Sequence, residues 1–161
     1  MRYDVVIIGA GAAGFACALT LGSANDKFDW AKDKKYLILD DNKSDLNVGK
    51  YFNVAGVDSG INGVDLLLKM KKQLEIYKDV ELKDEKATKI ENLGEYFKIT
   101  TENSTFEASI IVLATGLHKF DIECEGVSVK DNIFVPKPNN IYLENSNNLI
   151  SKNLYVAGLA S

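Results

Sequence analysis

The sequence predicts an α/β fold: a Rossmann-like three-layer parallel sheet with a small antiparallel β-meander, in a single domain over residues 1–161. Continuous apolar runs, typical of parallel strands buried on both faces, occur at Val5–Ile8, Tyr36–Leu39 and Ile110–Ala114. A glycine-rich turn and an apolar helical stretch follow the first run. From Val80 to Ala108 the pattern changes to half-polar alternation, which indicates the meander.

The first strand leads directly into the pattern G-x-G-x-x-G, formed by Gly9, Gly11 and Gly14. Gly9 permits a tight turn, Gly11 leaves room for a pyrophosphate beside the backbone, and Gly14 lets the helix pack close to the strand. The helix is predicted from Ala12 to Leu21, with Gly22 placed to end it. This order predicts a dinucleotide-binding turn, and the alternative is a glycine-rich turn that binds nothing.

The start of that helix supplies the second half of the predicted binding turn. Ala12 and Ala13 stand in its first turn, where the N–H groups have no helical carbonyl to donate to. The helix dipole is positive at the same end. Both features attract phosphate groups, so these residues are candidates for contacting a pyrophosphate.

The second strand, Tyr36–Leu39, is followed directly by Asp40. An acid at this place binds a ribose hydroxyl pair in dinucleotide folds and disfavours an NADP-type ligand, because it would repel a 2′-phosphate. A carboxylate that is merely solvated at the strand end is the alternative. The polar stretch Ser23–Lys35 between the two strands is predicted to be a surface excursion held down by Phe28 and Trp30.

The remaining elements follow from periodicity. A second helix is predicted over Val64–Tyr77, with Asn62 as its N-cap and an apolar stripe that faces the core. A loose segment, residues 117–153, precedes the last strand. The strands predicted after the second helix are Val80–Ile90, Tyr96–Thr101, Thr105–Ala108, Ile110–Ala114 and Leu154–Ala157.

Composition excludes several classes of function. The net charge is −4 and Arg2 is the only arginine, so nucleic acid is not an expected partner. No run resembles a membrane span or a secretion signal, and we expect a cytoplasmic location without membrane contact. Cys17 and Cys124 form no C-x-x-C. Cys17 is interpreted as a core residue, and the acids on both sides of Cys124 argue against a thiolate.

The motifs taken together give a more specific hypothesis. GAGAAG after the first strand, an acid after the second, FNVAG ahead of a helix, a meander, ATG and YVAG occur in this order. The combination resembles the FAD-binding domain of the thioredoxin reductase-like flavoproteins, within the pyridine nucleotide-disulfide oxidoreductases. The resemblance covers nearly the whole chain. It implies FAD as the cofactor and an oxidoreductase function in which the flavin supplies the redox chemistry.

The resemblance also assigns residues to the cofactor. The three motif glycines would hold the FAD pyrophosphate, and Asp40 would bind the adenosine ribose. Further positions implied by the resemblance are Asn53 in the loop near the flavin, Ala87 on the strand that meets the adenine, Thr115 and Gly116 in the A-T-G turn, and Gly158 in the last motif. His118 follows that turn; it is interpreted as structural or solvated, the alternative being a proton donor at the flavin edge. No catalytic residue and no metal site is identified.

The chain departs from the family pattern in several places. Only Leu117–Asn153 separates ATG from YVAG, too few residues for the family's nicotinamide-binding domain. No C-x-x-C can relay electrons, the loop at Asn53 lacks the family's proline, and Leu159 stands where the family has an aspartate that binds the flavin ribitol. The family's closing helix does not follow Ser161, which predicts an exposed apolar patch near Val156.

These observations favour an FAD-binding, oxidoreductase-type domain that takes electrons from an external donor or a redox partner protein. The patch at the last strand further predicts self-association or a partner, unless it is covered by Phe120, Ile122, Ile133 and Phe134. Two alternatives stay open. The chain is a degenerate dinucleotide fold used for binding or assembly, or NAD occupies the same glycine loop in place of FAD.

Overall fold

The structure is a computed structural model that describes residues 2–161. Within this range α1 spans Ala12–Asn25 and α2 spans Gly63–Leu74, and short 3-10 helices lie at Asp29–Ala31 and Asp45–Val48. The strands are β1 (Arg2–Ile8), β2 (Tyr36–Leu39), β3 (Lys50–Tyr51), β4 (Ile61–Asn62), β5 (Val80–Lys83), β6 (Ala87–Asn92), β7 (Phe97–Thr101), β8 (Thr105–Leu113), β9 (Glu123–Cys124), β10 (Val129–Asp131), β11 (Ile141–Leu143), β12 (Leu149–Ser151) and β13 (Leu154–Val156).

The main sheet confirms the predicted fold class. Its strands run in the order β5-β2-β1-β8-β7-β6-β9, and β13 also pairs with β8. β5, β2, β1, β8 and β13 are mutually parallel, and their carboxyl ends lie side by side, with Ile8 opposite both Leu39 and Leu113. The chain builds outward from β1 to β5 and then returns to the other side of β1. Ligands of open α/β sheets bind where the strand order reverses in this way.

The long strand β8 corrects one prediction. Thr105–Ala108 and Ile110–Ala114 were expected as two strands, but β8 is continuous and pairs with β1 from Glu107 to Leu113. Its first half pairs with β7 in the antiparallel meander, and its second half pairs with β13. Conversely, the predicted strand Val80–Ile90 is two strands, because β5 joins β2 in the parallel sheet and β6 joins β7 in the meander.

The two faces of the sheet are covered by different layers. Alternate side chains of a strand point to opposite faces, so Val5 and Ile7 pack against α1 and α2 while Val6 and Ile8 lie on the other side. Helices therefore cover one face of the sheet rather than both. The face bearing Val6 is covered by the meander, through Ala87, Ile90, Phe97 and Ile99.

The helix ends differ from prediction. α1 continues past Gly22 to Asn25, and this glycine allows a close approach of the segment after α2: a Cβ there would lie 2.8 Å from the ring of Tyr77. α2 was predicted to reach Tyr77 but ends at Leu74. α2 begins as predicted, with the Asn62 side chain accepting from the Asp65 N–H, and its apolar stripe faces the core. Phe28 and Trp30 stack on each other and are 52% and 64% exposed, so they do not anchor the excursion.

The segment after β8 is more ordered than predicted. Residues 117–153 contain β9 to β12, including the antiparallel β10–β11 hairpin. Val156 itself is only 2% exposed, but Leu149 on β12, Tyr155 on β13 and the following Leu159 are 39%, 37% and 63% exposed. Phe120 and Ile122 pack in the same core cluster as Val156, as the alternative expected, whereas Ile133 and Phe134 are exposed. None of the helices in residues 2–161 has the length and apolar character needed to cross a membrane.

Candidate functional site

A cavity of about 400 Å³ opens at the carboxyl ends of the parallel strands. Its position matches the place where the strand order reverses, and its size is typical of a small-molecule site. It is lined by Ile8–Ala13, Leu39–Asp41, Lys43–Leu46, Glu85–Ala87, Ala114–Ile122 and Ala157–Leu159.

The three motif glycines have distinct surroundings. Gly9 has φ +103°, and a Cβ there would lie 2.3 Å from the Ala114 carbonyl oxygen, so the turn and the approach to β8 both require glycine. A Cβ on Gly14 would lie 1.8 Å from the Gly9 carbonyl oxygen, which confirms the predicted close packing of helix on strand. At Gly11, φ is −78° and a Cβ would meet only Ser44 Oγ, at 3.4 Å. Gly11 is therefore not required by the fold, and its missing side chain enlarges the cavity.

The two helices begin differently. α2 has a capping side chain, Asn62, and an acid, Asp65, in its first turn. α1 has Gly11 as its N-cap, no capping side chain and no acid in its first turn. Ala12 and Ala13, whose N–H groups have no helical acceptor, line the cavity. No side chain caps the first turn of α1, and its positive end faces the space available to an anion.

Asp40 lies at the end of β2 and lines the cavity. Its Oδ1 accepts a hydrogen bond of 3.0 Å from the Ala10 N–H, which ties the strand end to the glycine turn. Burial raises the pKa of this carboxyl above its usual range, and the hydrogen bond from Ala10 partly opposes the shift. Sequence reasoning predicted the acid but missed its bond to the turn.

The A-T-G turn and the last motif complete the cavity wall. Gly116 and Gly158 both have positive φ, +76° and +94°. A Cβ on Gly158 would lie 3.0 Å from the Cβ of Ala13, so the last motif touches the start of α1. Thr115 Oγ1 is buried and has no hydrogen-bond partner within residues 2–161. A buried hydroxyl without a partner is destabilising, and a polar ligand atom would relieve it.

One wall of the cavity is held by a charge cluster that sequence reasoning missed. Asp121 accepts hydrogen bonds from Lys86 Nζ at 2.6 Å and from Lys119 Nζ at 2.8 Å. These two donors lower the pKa of Asp121 to about 2. The cluster joins the β5–β6 connection to the segment after the A-T-G turn. No local signal reveals it, because Lys86 and Asp121 are 35 positions apart and each resembles an ordinary solvated charge.

Comparison with known proteins decides the family. The family model described as pyridine nucleotide-disulphide oxidoreductase matches residues 3–157. The chain belongs to this family. It is 31% identical over 114 residues to the thioredoxin reductase of Treponema pallidum, covering 71% of this chain and 35% of that protein. This pyridine nucleotide-disulphide oxidoreductase domain is therefore thioredoxin reductase-like, as its motifs indicated.

Solved structures of thioredoxin reductases are also similar to this chain. A thioredoxin reductase from Gloeobacter violaceus is similar with TM-score 0.64 and 28% identity, covering 74% of this chain and 38% of that one. A ferredoxin-flavin thioredoxin reductase from Clostridium acetobutylicum gives TM-score 0.57 and 30% identity, covering 74% and 39%. The chain thus spans little more than a third of the length of these relatives.

Membership of this family implies a flavin cofactor, and the cavity residues fit one. The open space at Gly11, the uncapped start of α1 and the buried hydroxyl of Thr115 suit a ligand that carries phosphates and hydroxyl groups. Leu159 also lines the cavity but offers no side-chain hydrogen bond, and it is 63% exposed.

The structure brings together most of the residues predicted for the cofactor. Gly14 packs beneath the turn and does not line the cavity. Asn53 is exposed in the loop after β3 and lies outside the cavity lining. Those that do line it are Gly9, Gly11, Ala12, Ala13, Asp40, Ala87, Thr115, Gly116 and Gly158.

The histidine and the two cysteines are the remaining side chains considered for reactivity. His118 lines the cavity mouth, is exposed, and lies 3.6 Å from Asp45 through Nε2 and Oδ2. Burial raises the pKa of the Cys17 thiol, and it raises that of Cys124 to about 11. Burial, rather than the neighbouring acids, is what disfavours the Cys124 thiolate. Within residues 2–161 no group of three or more histidine, cysteine or acidic residues is arranged to hold a metal ion.

Proposed function

We propose that the cavity binds FAD and that the chain acts as a flavin-binding redox module supplied with electrons from outside. The observation that carries this proposal is the uncapped, acid-free start of α1, which meets the cavity behind the side-chain-free Gly11. A helix start that faces a cavity and has no capping side chain and no acid in its first turn favours a pyrophosphate. Membership of a flavin-using family supports FAD as the molecule that carries it.

Each part of the cavity has a proposed task in holding the cofactor. The N–H groups of Gly11, Ala12 and Ala13 bind the pyrophosphate, and the second carboxylate oxygen of Asp40 binds a ribose hydroxyl. The backbone at Ala87 meets the adenine. Three residues hold the portion toward the flavin, namely Thr115, Gly116 and Gly158. FAD, when bound, supplies electron transfer, and the protein supplies orientation and a shielded cavity.

The segment between the A-T-G turn and the last motif supports the proposal of an external electron donor. Its residues, 117–153, form short strands that complete the core and the cavity wall. This interval therefore holds no separate nicotinamide-binding domain, and we propose a diffusible nicotinamide or a partner protein as donor. The name of the Clostridium acetobutylicum relative pairs ferredoxin with a flavin, which supports a protein donor as one form of this arrangement.

A direct titration tests the proposal. FAD is added to the purified protein, and binding is followed by flavin fluorescence, with Gly11→Val as the matched variant. Valine tolerates the extended backbone at this position, and a Cβ there would meet only Ser44 Oγ, so the variant is expected to fold. Its side chain occupies the pyrophosphate space, so binding is expected to be lost.

Three other outcomes contradict the proposal. If wild type binds no FAD, the chain is a degenerate dinucleotide fold used for binding or assembly. If Gly11→Val binds as well as wild type, the glycine loop is not the site. If mass spectrometry of the ligand released from purified protein identifies NAD and added FAD does not displace it, NAD is the cofactor.

A further inference from the structure

A buried asparagine outside the cavity is hydrogen-bonded to a residue of the cavity wall. Asn132 follows β10 and is 4% exposed. Its Nδ2 donates to the carbonyl oxygens of Ile141 at 2.9 Å and Leu159 at 3.1 Å. Its Oδ1 accepts from the N–H groups of Phe134 at 3.0 Å and Val135 at 2.9 Å. A carboxamide has two donor hydrogens and two acceptor lone pairs, so every hydrogen-bonding position of Asn132 is used.

The β10–β11 hairpin is also bonded to a residue of the cavity wall, Leu117, and to Ala160, which directly follows the lining residue Leu159. The Ile141 N–H donates to the Leu117 carbonyl at 2.6 Å, and the Leu143 N–H donates to the Ala160 carbonyl at 2.9 Å. Leu117 and Leu159 both line the cavity. The hairpin therefore holds the segment after the A-T-G turn and the segment after β13 in a fixed relation, and Asn132 is its side-chain link to the second of them.

We propose that Asn132 is a positioning residue of the cofactor site: it anchors Leu159 and so keeps the Gly158 turn in place against the start of α1. This inference rests on the proposed function. Gly158 has positive φ and lies close to Ala13, so a small shift of the segment changes the shape of the cavity. A binding group displaced by even about half an ångström loses much of its contribution.

The same hairpin offers a matched comparison. Asn140 is also 4% exposed, and its Nδ2 donates to the Val135 carbonyl at 2.9 Å. Its Oδ1 has no hydrogen-bond partner within residues 2–161, and its side chain bonds no residue that lines the cavity. Alanine at Asn140 removes one buried amide–carbonyl bond from the hairpin, whereas alanine at Asn132 removes four side-chain bonds, one of them the bond to the cavity-lining Leu159.

The first experiment compares FAD dissociation constants for wild type, Asn132→Ala and Asn140→Ala, with thermal midpoints measured alongside. Both variants are expected to unfold at lower temperature. Asn132→Ala is expected to weaken FAD binding about tenfold or more, and Asn140→Ala to change it less than about threefold. Equal changes in affinity for the two folded variants would overturn the inference.

A second measurement uses the wild type alone, and it tests the role of Asn132 even if Asn132→Ala does not fold. Coupling between two sites is reciprocal, so FAD should slow hydrogen exchange at the Phe134 and Val135 amides that Asn132 holds. The control is the Gly94 amide, which donates to the Asn92 side chain in the distant β6–β7 turn. Exchange that FAD leaves unchanged at Phe134 and Val135 contradicts the inference while the proposed function stands. A wild-type protein that binds no FAD overturns both.

Discussion

At the scale of single residues, Asp40 joins the end of β2 to the glycine turn and lines the cavity. Its Oδ1 accepts a hydrogen bond from the Ala10 N–H, and burial raises the pKa of the Asp40 carboxyl. Because the folded pKa lies above the unfolded value, stability falls as pH rises through that interval, and the penalty persists at pH 7. Ionised Asp40 is therefore unfavourable for the free protein, and a ribose hydroxyl is a natural partner for it.

Asp40→Asn is expected to raise the free energy of unfolding at pH 7 and to weaken FAD binding. Asparagine can still accept from the Ala10 N–H but carries no buried charge, and a neutral acceptor binds a hydroxyl less strongly, by about tenfold in affinity. Denaturant unfolding and fluorescence titration measure the two effects. Asp40→Ala is the control, since it loses the Ala10 bond and should be destabilised. Unchanged FAD affinity in Asp40→Asn would argue that the ribose lies elsewhere.

Leu159 is the second residue with a testable consequence. It lines the cavity, is largely exposed and cannot accept a hydrogen bond. Leu159→Asp, which restores the acid of the family pattern, is expected to tighten FAD binding by about one to two powers of ten through a charge-assisted bond to the ribitol. Leu93→Asp, at a half-exposed leucine in the meander turn, is the control. If Leu159→Asp has no effect while Gly11→Val abolishes binding, the ribitol does not approach this position.

At the scale of elements, the Lys86–Asp121–Lys119 cluster joins the β5–β6 connection to the segment after β8. Asp121 has a folded pKa of about 2, below its usual value of 3.8. A lowered carboxylate pKa stabilises the fold above the unfolded pKa, and this stabilisation is lost as pH falls from about 4 toward 2. All three side chains are partly exposed, so solvent screening limits the effect.

Asp121→Asn is accordingly expected to lower the free energy of unfolding at pH 7 by less than about 1 kcal/mol. The difference from wild type should narrow as the pH is lowered through 3, and it should shrink with added salt. Chemical denaturation at several pH values measures it. A difference that stays constant down to pH 2 would show that charge pairing is not the cause.

At the scale of the whole molecule, neither of the two cysteines lines the cavity. Cys17 lies on α1 and Cys124 on β9, and burial raises the pKa of both. Neither is the low-pKa thiol that disulfide exchange requires. Residues 117–153 contribute side chains to the core and to the cavity wall.

The 161-residue chain is therefore expected to show no thioredoxin reductase activity by itself. FAD-loaded protein should be reduced by dithionite, yet it should not reduce thioredoxin with NADPH. The measurement is NADPH oxidation in the presence of a thioredoxin and a disulfide reporter. Turnover near an ordinary enzymatic rate, roughly 10 per second, would contradict the prediction.

The sequence by itself determined the parallel strands β1, β2 and β13, the glycine turn, the start of α2 and the family, because each depends on neighbouring residues. Val5–Ile8 is apolar throughout, and Asn62 stands three positions before the Asp65 N–H that it caps. These patterns are local, so a single stretch of chain carries the whole signal.

Only the tertiary structure decided which residues meet across the cavity. Asp40 bonds Ala10 across 30 positions, Lys86 bonds Asp121 across 35, and Asn132 bonds Leu159 across 27. The continuity of β8 likewise depends on its three partner strands rather than on its own residues. Polar side chains satisfy their hydrogen bonds with whatever the fold brings near, and that choice leaves no periodic trace in the sequence.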